Sequence, residues 1–110
     1  MSEESQERIK KLFQSYRDSL PERMHELDEL WGQLILSWNA EAAAEFDRVC
    51  HGLAGSALTF DCAEVGAIAR QIEKLFKSQL QNSGPVPQAM IGEVRSMLSE
   101  LSESISKLSV

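Results

Sequence analysis

Residues 39–60 read NAEAAAEFDRVCHGLAGSALTF. With Phe46 at zero on a helical wheel, Val49, Cys50, Leu53, Ala57 and Phe60 fall within about 60° of it. That spacing predicts one amphipathic helix. Asn39 is a capping residue, and Ala42, Ala43 and Ala44 are strong helix formers. Two glycines, Gly52 and Gly55, interrupt the run around a single histidine, His51. Each costs a helix interior roughly 0.5–1 kcal/mol relative to alanine, so something should compensate.

The same period extends in both directions. Ile9, Leu12, Phe13, Tyr16 and Leu20 mark a helix before this one, and Met24, Leu27, Trp31, Leu34 and Trp38 mark another. Between them lies Ser19-Leu20-Pro21-Glu22, where Ser19 can cap, Glu22 can close a capping box and Pro21 suits a first turn. After Phe60, Asp61 with Glu64 signals a further start, and Val65, Ile68, Ile72, Leu75 and Phe76 face inward. QNSGPVPQ, residues 81–88, reads as the one clear loop. Met90, Ile91, Val94, Leu98, Leu101, Ile105 and Leu108 line the last helix. No segment alternates with period two. The expected fold is all-α: an antiparallel up-down four-helix bundle over residues 20–108, crossed by an additional N-terminal helix over 1–19, the whole 1–110 forming a single domain.

Composition narrows the function classes. The 110 residues carry 43% apolar and 25% charged side chains, the balance of an ordinary globular domain. A net charge of −6 argues against nucleic-acid binding. No apolar run is long enough to span a membrane, and MSEESQERIKK lacks the apolar region of a signal peptide, so a cytoplasmic location is expected. Cys50 and Cys62 are expected to be reduced, semi-buried thiols, and no CxxC or HxxxH spacing suggests a metal site. No GxxxxGK[ST] or GxGxxG loop is present to hold a nucleotide.

On the wheel His51 lies near 140°, away from the core. An outward helix face is normally charged. Here Ala44, Ala54, Gly55 and Leu58 surround the imidazole, with Asp47 and Arg48 one turn back. Helix side chains lean toward the N-terminus, so Asp47 is placed to accept a hydrogen bond from one ring nitrogen and leave the other free as a nucleophile. The plainer alternatives are an unremarkable surface histidine and a small-residue stripe that packs another backbone. Gly52, near 240°, is assigned to helix packing. His25 reads as a surface residue, Trp31 and Trp38 as core, and Glu73 with Lys77 as a solvated i,i+4 pair.

His51-Gly52-Leu53-Ala54-Gly55-Ser56-Ala57-Leu58-Thr59-Phe60-Asp61 resembles the signature of the histidine-containing phosphotransfer (HPt) domains, roughly H-x-L-K-G-s-a-x-x-[FL]-G. Leu20-Pro21 at the opening of the first long bundle helix is also similar. The resemblance implies a four-helix bundle with His51 as phosphoacceptor. It further implies transfer from a receiver-domain aspartyl phosphate to His51 and on to another receiver, the two belonging to a hybrid sensor kinase and a downstream regulator. Any magnesium would sit on the receiver, with no cofactor on this chain, which would act as a monomeric carrier and not a kinase. Ala54, Gly55, Leu58 and Ala44 would form the docking surface. Ala54 stands where many members have lysine, so Arg48, Arg70 or Lys74 is the candidate source of positive charge near the phosphoryl group. Asp61 stands where glycine is frequent, a position at which Asp tolerates a left-handed backbone. The competing readings are a helical adaptor that binds a receiver or kinase without carrying phosphate, and a bundle with no ligand.

Overall fold

The computed structural model describes residues 2–108. Four helices follow one another: α1 (Glu3–Leu36), α2 (Ala40–Thr59), α3 (Ala63–Asn82) and α4 (Gln88–Lys107). The connections, residues 37–39, 60–62 and 83–87, are too short for anything but antiparallel neighbours. α1 packs on α2 and α4, and α3 closes the ring by packing on the same two. The result is an up-down four-helix bundle with no strand among the described residues.

The core follows the apolar stripes. Leu20, Leu27 and Leu34 from α1, Phe46 and Cys50 from α2, Ile72 and Phe76 from α3, and Val94 and Leu101 from α4 are essentially inaccessible to solvent. Trp31, Phe46 and Phe76 meet at its centre with ring centroids 4.9–5.9 Å apart, within the range of favourable aromatic pairs. Trp38 lies in the α1–α2 connection, half-buried, 6.1 Å from Phe76.

The additional N-terminal helix is not a separate element. Pro21 stands inside α1, which runs unbroken from Glu3 to Leu36. Ser19 does not cap: its hydroxyl donates to the Tyr16 carbonyl at 2.6 Å. A proline removes one backbone donor, but here it is exposed while Leu20 and Met24 beside it are buried. Packing on both sides of the proline outweighs the lost bond. The front of α1 therefore projects along the bundle axis instead of crossing it, and Ile9 and Leu12 are 41% and 60% exposed. At a rise of about 1.5 Å per residue, 34 residues make roughly 51 Å, close to the 54 Å long dimension of the molecule.

The α2–α3 turn also departs from expectation. Asp61 is not the cap of α3; Cys62 occupies that position, with no side-chain capping bond. Asp61 instead closes α2 with φ 60°. The Cys62 N–H donates to Ala57 O at 2.7 Å and the Asp61 N–H to Leu58 O at 3.2 Å, the paired bonds of a Schellman motif. Asn39 does cap α2, its side chain accepting from the Ala42 N–H at 2.9 Å.

Candidate functional site

The site is set by how closely α3 approaches α2. A Cβ built on Gly66 would lie 3.2 Å from the Ala57 Cβ and 3.6 Å from the Ala54 carbonyl oxygen. Small residues on both helices bring the backbones together. From Gly66 to Glu73 is two turns along α3, and from Ala57 to His51 is nearly two turns back along antiparallel α2. Glu73 therefore arrives opposite His51.

The two side chains meet there. The Glu73 carboxylate accepts from the His51 Nδ1–H at 2.6 Å. The imidazole is 76% exposed, whereas the Glu73 side chain is 24% exposed. A carboxylate on Nδ1 fixes the tautomer with its proton on that nitrogen, so Nε2 keeps its lone pair. Nε2 makes no hydrogen bond among the described residues. The exposed ring is thus held by one nitrogen and presents the other to solvent.

The partner of the ring is thus Glu73, where the spacing had suggested Asp47. Glu73 is no solvated partner of Lys77 either. Asp47 is half-buried and has no hydrogen bond or ion pair among the described residues. Burial pushes its carboxyl above the ordinary value, and the Glu73 charge adds to this; His51 and Lys77 oppose it. Arg48 turns away from the imidazole. Its guanidinium grips Glu45, with Nε donating to Oε2 at 3.0 Å and a second bond to Oε1. Arg70 and Lys74 are exposed on α3, and neither forms an ion pair among the described residues.

Around the ring, Ala44, Gly55 and Leu58 are exposed, Leu58 by 72%. Ala54 is not part of this surface. It is 7% exposed and lies against α3, because the close α2–α3 approach covers the flank on which the wheel placed it. A Cβ on Gly55 would meet nothing within 4 Å. The same is true of Gly52, so its assignment to helix packing is also corrected. Gly52 instead lines a cleft between α1 and α2 with Tyr16, Arg23, Arg48 and Ser56. Its carbonyl accepts from the Ser56 hydroxyl at 2.8 Å, and the Ser56 and Tyr16 hydroxyls share a further 2.8 Å hydrogen bond.

The two thiols are free and buried. Burial, with the Asp47 and Glu73 charges behind it, pushes Cys50 up to about 12, which leaves it an unreactive core residue. His25 is exposed and pairs with Glu29 at 3.2 Å. Among the described residues no group of three or more metal-ligating side chains converges, and no helix is long and apolar enough to cross a membrane.

Fold and site together define a helical-bundle protein that presents an exposed histidine, His51, held at Nδ1 and open at Nε2. The Hpt domain family model matches residues 11–104, and the chain belongs to that family. Hpt domains serve histidine phosphotransfer in two-component phosphorelays, where they interact with receiver domains as phosphoryl carriers rather than kinases. Neither the curated proteins nor the solved structures compared with this chain gave a match.

Proposed function

We propose that His51 is the phosphoacceptor and that this chain carries a phosphoryl group between two receiver domains. The observation that carries the reading is the Nδ1 bond to Glu73 on an otherwise exposed ring, which leaves Nε2 as the nucleophile. The Nε2 lone pair attacks the phosphorus of a receiver's aspartyl phosphate in line. The P–O bond to the aspartate breaks, and its electron pair returns to that carboxylate. The imidazole then carries the phosphoryl group on Nε2 and its proton on Nδ1, where the Glu73 carboxylate offsets the ring's positive charge. Attack on the same phosphorus by a second receiver's aspartate reverses the step.

Open space at Gly55 supports this reading, because the two reacting atoms must come within about 3–3.5 Å. Ala44 and Leu58 are the apolar contacts offered beside the ring. The magnesium ion that assists transfer belongs to the receiver in this scheme. The donor is the receiver of a hybrid sensor kinase and the acceptor that of a downstream regulator, with this chain acting between them as a cytoplasmic monomer.

The test is incubation with a phosphorylated receiver domain. The expected result is an acid-labile, alkali-stable label on the parent protein and none on His51→Gln, with stability of that variant changed by less than about 0.5 kcal/mol. Glu73→Ala should still bind the receiver but accept label more slowly, because the ring loses the bond that fixes its tautomer and leaves Nε2 unprotonated. Label persisting on His51→Gln would overturn the assignment. A stable complex with no transfer would favour the adaptor.

A further inference from the structure

Asp47 has no hydrogen-bond or ion-pair partner among the described residues. It lies one helical turn before His51, on the side toward which the ring leans, and so its Cβ is about 5–6 Å from that of His51. It is half-buried, yet it forms neither a hydrogen bond nor an ion pair among the described residues. Its charged neighbours are His51 on its own helix and Glu73 and Lys77 on α3. Glu73 is committed to the ring. Lys77 stands one turn beyond Glu73, exposed and without an ion pair among the described residues. Arg70 stands one turn to the other side of Glu73, also exposed. Asp47 and Glu73 thus bring two carboxylates to the neighbourhood of the imidazole, while Arg48, three residues before His51, is bound to Glu45.

Resting on the reading of His51 as phosphoacceptor, we infer that Asp47 destabilises the phosphorylated form of this protein and biases the phosphoryl group toward the receiver. A phosphoryl group adds about 1.5 to 2 negative charges. Placed on Nε2 of a ring one helical turn from Asp47, it brings that charge toward a half-buried carboxylate. The ring gains one positive charge in the same step, but the phosphoryl charge exceeds it, so the net change that Asp47 meets on phosphorylation is repulsive. When the Nε2–P bond breaks and the receiver aspartate forms its new O–P bond, the repulsion is relieved. Asp47 neither donates nor accepts a proton in this step. It is not a catalytic residue; it sets the position of an equilibrium.

Asp47→Asn tests this, since it keeps size and polarity but removes the charge. Parent and variant are each brought to equilibrium with a phosphorylated receiver domain, and the ratio of phospho-His51 to phospho-receiver is read. At surface dielectric, a net change of about one charge one helical turn away should raise the variant ratio about 3-fold. The difference should shrink in 1 M salt, where screening acts over about 3 Å, a response that lost packing would not give. Asp47→Glu should stay near the parent ratio. An unchanged ratio in Asp47→Asn, with both proteins labelled, overturns the inference while leaving the carrier reading intact. Absence of label on the parent overturns the carrier reading itself.

Discussion

Gly55 shows what one missing side chain does. It lies in a helix interior, where glycine is costly, and nothing packs against the place its Cβ would take. A packing role would leave contacts there. An access role leaves the void that is observed, one turn beyond His51. Gly55→Gln should therefore melt at or above the parent temperature, a gain of about 0.5 kcal/mol, yet lose most receiver-dependent phosphorylation. A thermal melt and a transfer assay on the same sample separate the outcomes; a variant that unfolds would return Gly55 to packing. The wheel found this residue and His51 because both depend only on the phase of α2. It missed Glu73 because that residue lies on a flank of α3, and a flank's role depends on which helix covers it. Ala54 failed for the same reason. The one sequence cue was Gly66, a glycine on the same stripe as Glu73, which marks where α2 comes close.

At the scale of elements, capping chemistry was readable where a side chain acts locally and misleading where packing decides. Asn39 caps α2 through its own oxygen, and the bond is present. Ser19 and Pro21 carry an equally good start signal, yet α1 passes through them, because Leu20, Met24 and Leu27 continue one buried stripe across the proline. Asp61 with Glu64 carries a start signal for α3, but Asp61 works as the end of α2. Its φ of 60° is where glycine rests without strain and a side chain does not. No hydrogen bond of the Asp61 side chain offsets this among the described residues. Asp61→Gly should consequently stabilise the protein by about 0.5–1 kcal/mol, visible as a higher urea midpoint at unchanged m-value. A loss of stability would mean that the carboxylate contributes more to the turn than its backbone strain costs.

The molecule as a whole divides α1 into two lengths with different duties. The buried stripe begins at Leu20, and from there α1 is one wall of the bundle. Ahead of it, Phe13 meets the edge of Phe60 at 5.6 Å and Tyr16 stacks on the same ring at 4.4 Å. The Tyr16 hydroxyl, bonded to Ser56, ties this stretch to α2 near the site. Before Phe13, described residues are exposed except for half-buried Ser5, and they carry helix without a core. A helical arm of that length is marginal on its own and contributes little to global stability. Deleting residues 1–11 should shift unfolding by less than about 0.5 kcal/mol. Deleting residues 1–18 removes both aromatic contacts and the hydroxyl bond, each worth about 1 kcal/mol, and should cost roughly 2–3 kcal/mol. Urea unfolding of the two truncations reads the difference directly. Equal losses would show that the first turns of α1 share in the core; no loss from either would show that Phe60 holds the α2–α3 turn without α1. The expected step between them places the boundary of the cooperative unit at Phe13, beyond the start of the bundle, because Phe60 extends the core past the point where α2 ends.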